Sequence, residues 1–198
     1  MLTYHNQSDT VVVVLHEIYG INSHIRQVCD TLAQYGMDVI APDLLGEVFA
    51  YEQEDIAYDN FMNNIGFEAA YKKITEVLQM TRTSYKKVYV LGYSIGATLA
   101  WNCSATGLCD GAIGFYGSRI RNYLALTPTC PVLLFFPEQE KSFAVDDLIV
   151  RVSSCANVRV EKLAGQHGFA DAFSPSYNQE SAKKAYKEML AFIGADFA

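Results

Sequence analysis

The chain has 198 residues, 51% of them hydrophobic, which suits one domain spanning residues 1–198 with a sizeable core. A formal net charge of −7 with no basic cluster argues against nucleic acid and anionic membranes as partners. The N-terminus has no signal-peptide pattern, no apolar run approaches the ~18 residues that span a bilayer, and the scattered cysteines form no Cys-x-x-Cys pair. The expectation is a cytoplasmic protein with reduced, mostly buried thiols, acting on a small molecule; its oligomeric state stays open.

In chain order, Thr10-Val11-Val12-Val13-Val14-Leu15 is a continuous β-branched run, the pattern of a strand buried on both faces of a parallel sheet. It runs into His16-Glu17-Ile18-Tyr19-Gly20, a polar pair placed where such strands present ligands. Asn22 or Ser23 then caps a helix with Ile25, Val28, Cys29 and Leu32 at helical spacing, stopped by Gly36. Residues 37–41 read as a second buried strand. Residues 46–60 mix acidic and aromatic side chains without clear periodicity. Two readings stay open there: a loop over the substrate mouth, or a solvated acidic connection. The helical pattern resumes at Phe61 and carries Phe67, Ala70, Ile74, Val77 and Leu78 on one face.

The centre of the chain is Val88-Tyr89-Val90-Leu91-Gly92-Tyr93-Ser94-Ile95-Gly96-Ala97, a strand-like run entering Gly-x-Ser-x-Gly and then a helix. This is the pattern of a nucleophile elbow, with glycines where neighbouring backbones leave no room for a Cβ. It lacks the middle glycine of a dinucleotide fingerprint, and no Gly-Lys-Ser/Thr follows to make a phosphate loop. Strands at 111–117, 131–136 and 158–163 alternate with helices around Val145–Val152 and Ala182–Ile193. The whole reads as an α/β domain with a mostly parallel sheet.

A serine hydroxyl needs a neighbouring base and a group that orients that base. In an elbow fold these follow in the order acid, then histidine. His167 is the sole histidine after Ser94 and stands beyond the last strand. The acid belongs after the strand ending at Phe136, where Glu140 is the first choice and Glu138 the second. Asp146 and Asp147 fall in the next helix, where its dipole explains them. The backbone amides of Ile95 and Ile18 are the expected oxyanion donors. No metal or organic cofactor is called for, since the histidines are dispersed and His-Glu-x-x-His is absent.

His16-Glu17-Ile18-Tyr19-Gly20-Ile21-Asn22, Ala41-Pro42-Asp43-Leu44, Gly92-Tyr93-Ser94-Ile95-Gly96, Phe115-Tyr116-Gly117 and His167-Gly168-Phe169 together resemble the dienelactone hydrolase family. The resemblance implies an α/β-hydrolase fold, helices on both faces of the sheet and no separate cap domain. It implies hydrolysis of a carboxylic ester or lactone, with Glu17 and Tyr116 supporting the nucleophile. Three departures stand out. Serine replaces the cysteine of the founding members, glutamate stands where the acid is normally aspartate, and Asp171 occupies a position at which the family's dienelactone-cleaving members carry a substrate-holding arginine. No arginine lies between Arg26 and Arg82 either, and Asp171 is expected to repel a carboxylate such as dienelactone. Two other functions remain open: a non-catalytic small-ligand binding protein on the same fold, and thioester cleavage or acyl transfer through the same serine.

Overall fold

The computed structural model describes residues 1–194. Seven strands form one sheet in the order β1-β3-β2-β4-β5-β6-β7. They are β1 (Leu2–Tyr4), β2 (Thr10–Leu15), β3 (Asp38–Ala41), β4 (Lys87–Tyr93), β5 (Gly111–Phe115), β6 (Val132–Pro137) and β7 (Val158–Leu163). β1 pairs antiparallel with β3 and every other pairing is parallel. The helices are α1 (Ser23–Gln34), α2 (Glu54–Asn60), α3 (Gly66–Ser84), α4 (Ile95–Cys103), α5 (Val145–Val152) and α6 (Gln179–Ile193). This is the α/β-hydrolase fold, with no separate cap among the described residues.

Strand alternation divides the core into two layers. Val11, Val13 and Leu15 of β2 point to the layer under α3, α4 and α5, where Ile74, Leu78, Leu99 and Leu148 are buried. Val12 and Val14 point to the other layer, filled by Ile25 and Leu32 of α1 and by Ala185 and Met189 of α6. With both faces covered, the strands can be apolar throughout, which is why β2 and β6 read as unbroken hydrophobic runs.

After β2 the chain moves outward to β3, then returns to place β4 on the other side of β2. Neighbouring connections therefore leave the carboxyl ends of β2 and β4 in opposite directions and open a crevice there.

Two segments depart from the sequence reading. β1 is a three-residue edge strand, too short to carry a period. Residues 46–60 are not loop throughout. Tyr51–Gln53 form a 3-10 turn, α2 follows, and a π-helical turn (Phe61–Ile65) leads to Gly66 at φ 73° and the start of α3. Ala57 is the one buried residue of α2, so no amphipathic stripe exists for a periodicity argument to find. Its start is marked instead by Glu54 and Asp55 in the first turn, where the helix dipole favours them.

The tightest point is the β4–α4 elbow. A Cβ on Gly92 would lie 2.0 Å from the Gly96 carbonyl oxygen, and one on Gly96 would lie 2.3 Å from that of Leu15. Both obstacles are backbone and cannot rotate away. Gly96→Ala should therefore lower stability by about 3 kcal/mol, the upper range for overpacking, read as a reduced urea midpoint. A midpoint unchanged from wild type would show that the α4 start can slide off β2.

Candidate active site

Ser94 sits at the apex of the elbow with φ 53° and ψ −112°, a conformation that side-chain-bearing residues rarely adopt. It is held by its own amide, which donates to the Phe115 carbonyl at 2.9 Å, and by α4, buried along its whole length. The Ser94 hydroxyl opens into a cavity of about 560 Å³ at the carboxyl ends of the strands.

His167 Nε2 lies 3.0 Å from Ser94 Oγ, and Nδ1 lies 2.7 Å from Glu140 Oε1. A carboxylate only accepts hydrogen bonds, so Nδ1 carries the ring proton and Nε2 is free to accept from the serine. The histidine loop is pinned from several sides. Gly165 and Gly168 take positive φ, Phe169 next to them is fully buried, and the Asn178 amide donates to the Phe169 carbonyl. Ser181 Oγ, at the start of α6, donates to the Ala164 carbonyl at 2.7 Å.

The same geometry separates the two candidate acids. The Glu138 and Gln139 amides donate to the carbonyls of Leu163 and Gly165, so the acid loop is stitched to the chain that leads to His167. That pairing leaves Glu138 exposed and turns the Glu140 side chain inward, where it is 5% exposed. Burial alone would lower the His167 pKa, but the hydrogen bond and charge of Glu140, aided by Glu17 and Glu54, raise it above its ordinary value.

Ile18 and Ile95 both line the cavity, and neither backbone amide has an acceptor among the described residues. The loop carrying Ile18 is set by His16, which is fully buried. Its Nδ1 donates to the Glu17 carbonyl at 2.6 Å while Nε2 accepts from the Leu44 amide at 2.9 Å. His16 is thus a backbone brace, where the sequence reading placed it in a ligand-presenting pair.

Glu17 and Tyr116 meet beneath the histidine. Tyr116, at φ 44°, donates its hydroxyl to Glu17 Oε1 at 2.9 Å, and its ring centroid is 4.8 Å from that of His167. Burial, with the nearby Asp171 charge, pushes the Glu17 pKa up to about 7. Burial lowers His24 to about 4 against the pull of Asp171, so the imidazole stays neutral.

Several cavity residues were invisible to motif reasoning, and Asp171, which was singled out, differs from its expected setting. Asp171 is buried rather than facing substrate as a bare charge. It accepts from the Tyr51 hydroxyl at 2.5 Å and from the Phe173 amide at 2.8 Å. Glu17, His24 and Asp171 bring donor atoms within 4.8 Å of one another, and His24 Nδ1 has no hydrogen-bond partner among the described residues. Each of the two carboxylates already accepts a tyrosine hydroxyl. Tyr51, Glu54 and Tyr58 bring the 46–60 segment to the cavity wall, and Arg119 and Arg121 line it from the turn after β5. The only sequence signal for these arginines was their place two and four residues beyond Phe115-Tyr116-Gly117.

Two titrations follow. The His167 ring, followed by NMR, should reach half-protonation above pH 6.5, and Glu140→Gln should move that midpoint down. A midpoint insensitive to the substitution would mean that Glu140 does not govern the imidazole. Glu17 has a folded pKa above its unfolded value of 4.5, so its contribution to stability is most favourable below pH 4.5 and is lost as pH rises through about 7. Relative to wild type, Glu17→Gln should gain about 2–3 kcal/mol between pH 5 and pH 8 in urea unfolding. A pH-independent difference would contradict the buried proton.

The Dienelactone hydrolase family matches residues 1–197. YczH of Bacillus subtilis, described as an uncharacterized protein, is 37% identical over 173 residues, 85% of each chain. Carboxymethylenebutenolidase 1 of Cupriavidus pinatubonensis is 24% identical over 204 residues, 94% of this chain and 86% of its own. The dienelactone hydrolase-like promiscuous phosphotriesterase P91, from metagenomic libraries, shares the fold with a TM-score of 0.74 at 16% identity, over 93% of this chain and 85% of that one. On a match that runs almost end to end, the chain belongs to the dienelactone hydrolase family and is a hydrolase of ester bonds.

Proposed function

We propose that the protein hydrolyses a carboxylic ester or lactone through an acyl-serine intermediate, with Ser94, His167 and Glu140 as the catalytic residues. The observation that carries this reading is the single imidazole, 3.0 Å from a serine hydroxyl on one side and 2.7 Å from a buried carboxylate on the other.

In this mechanism His167 Nε2 takes the Ser94 proton as Oγ attacks the carbonyl carbon. Negative charge moves to the carbonyl oxygen, which the Ile95 and Ile18 amides receive. The start of α4 adds its dipole at the same point. Glu140 holds the ring in the tautomer with Nδ1–H and stabilises the imidazolium. His167 then returns the proton to the leaving alcohol. Water enters, is deprotonated by the same nitrogen, and attacks the acyl carbon to release the acid and restore Ser94.

With serine as nucleophile, no preformed thiolate is available, so the base is indispensable. The raised His167 pKa gives a stronger base at the cost of losing the neutral form as pH falls, so activity declines on the acid side. Glu17 and Tyr116 support the ring from below as positioning residues.

A fluorophosphonate probe should label Ser94 in wild type and fail to do so after His167→Ala. Ser94→Ala should lower kcat on phenyl acetate by ~1000-fold or more. Glu140→Gln should cost on the order of 1000-fold, and Glu138→Gln little. A folded, accessible Ser94 that resists labelling would favour the binding-protein reading. Transfer of the acyl group to added alcohol in preference to water would favour an acyltransferase.

A further inference from the structure

Among the described residues, three cations in the cavity wall have no anion within ion-pair distance. Arg119 and Arg121 stand on the 3-10 turn after β5, Lys141 stands on the loop after β6, and all three line the cavity with Ser94. Among the described residues none of the three belongs to an ion pair. Arg119 donates to the Tyr58 hydroxyl and lies over its ring. Arg121 donates to the Ser118 carbonyl, and its guanidinium carbon is 5.1 Å from the Phe143 ring centroid. These are neutral partners, and they leave both guanidinium charges uncompensated.

The sheet brings these groups together. β5 and β6 are neighbouring parallel strands, so the loops from their carboxyl ends emerge side by side. The contact of Arg121 with Phe143 shows that the two loops meet. The cavity's carboxylates are largely engaged elsewhere: Glu140 accepts from His167, Glu17 from Tyr116, and Asp171 from Tyr51. Glu54 stands in the first turn of α2, where the helix dipole favours it.

From this wall we infer a subsite for a phosphate monoester group carried by the substrate, remote from the ester that Ser94 attacks. Two guanidinium forks and an ammonium hold more positive charge than one carboxylate neutralises, whereas a phosphate brings nearly two charges and three acceptor oxygens. Ser118 and Ser142, also in the lining, add hydroxyl donors. A cavity of about 560 Å³ has room for a reacting carbonyl at Ser94 and a phosphate at this wall. The expectation that anionic substrates are repelled came from Asp171, but that carboxylate is buried and hydrogen-bonded, on a different loop. The placement of the reacting ester rests on the hydrolase reading; the subsite itself does not.

The test compares three acetate esters: phenyl acetate, 4-acetoxybenzoate and 4-acetoxyphenyl phosphate. In wild type, kcat/KM for the phosphate should exceed that for phenyl acetate by ~10-fold or more, the value of one charge-assisted contact. The preference should shrink in about 0.5 M NaCl. The phosphate-to-neutral ratio should fall ~10-fold in the R119Q/R121Q double variant and recover in part with R119K/R121K. A ratio near one in wild type, or one unmoved by the double variant, overturns the subsite. An equal preference for the benzoate overturns its assignment to phosphate. Calorimetric binding of 4-hydroxyphenyl phosphate to Ser94→Ala protein reads the subsite without catalysis. Absent binding with intact phenyl acetate hydrolysis sinks the subsite alone, whereas binding without any hydrolysis by wild type sinks the catalytic reading alone.

Discussion

The approach of the Gly96 backbone to the Leu15 carbonyl is the constraint on which the site depends. With no Cβ, Gly96 lets the start of α4 rest against the end of β2. That contact sets Ile18, Ser94 and Ile95 along one cavity, with Ser94 in a backbone conformation that costs of order 1–3 kcal/mol. The strain is held by rigid surroundings: an amide bond to β5, a wholly buried α4, and a sheet covered on both sides.

Electrostatics around the histidine follow from what each carboxylate can reach. Glu140 is bonded to the ring and acts directly. Glu17 is nearby but buried, and its pKa of about 7 leaves it only partly ionised near neutrality. Burying a second full charge beside Asp171 would be costly, and the tyrosine hydroxyl that each carboxylate accepts reduces that cost without removing it. The imidazole therefore has one carboxylate hydrogen-bonded to it and a second, Glu17, whose charge varies with pH near neutrality.

Much of the fold was legible because two-sided burial writes itself into composition. β2, β4 and β6 are apolar runs of strand length, and α1 and α6 show helical stripes. The elbow was legible because a close backbone contact demands glycine at Gly92 and Gly96. His167 could be singled out by elimination, but the choice between Glu138 and Glu140 could not be read from composition. It turns on two amide bonds to the β7 side of the sheet, which decide which side chain faces inward. Asp171 misled for a similar reason, since its partner Tyr51 lies 120 positions away. Arg119 and Arg121 sit on a short turn with no period, and nothing local says that the turn faces the cavity.

The Tyr51–Asp171 hydrogen bond has a thermodynamic corollary. It fastens the 46–60 wall segment of the cavity to the stretch just beyond His167, while Tyr58 fastens the same segment to Arg119. Loosening this segment therefore removes one hydrogen bond from a buried carboxylate and one from a guanidinium at once. An occupant that contacts this segment is therefore linked, through those two bonds, to the order of the chain around Asp171 and Arg119.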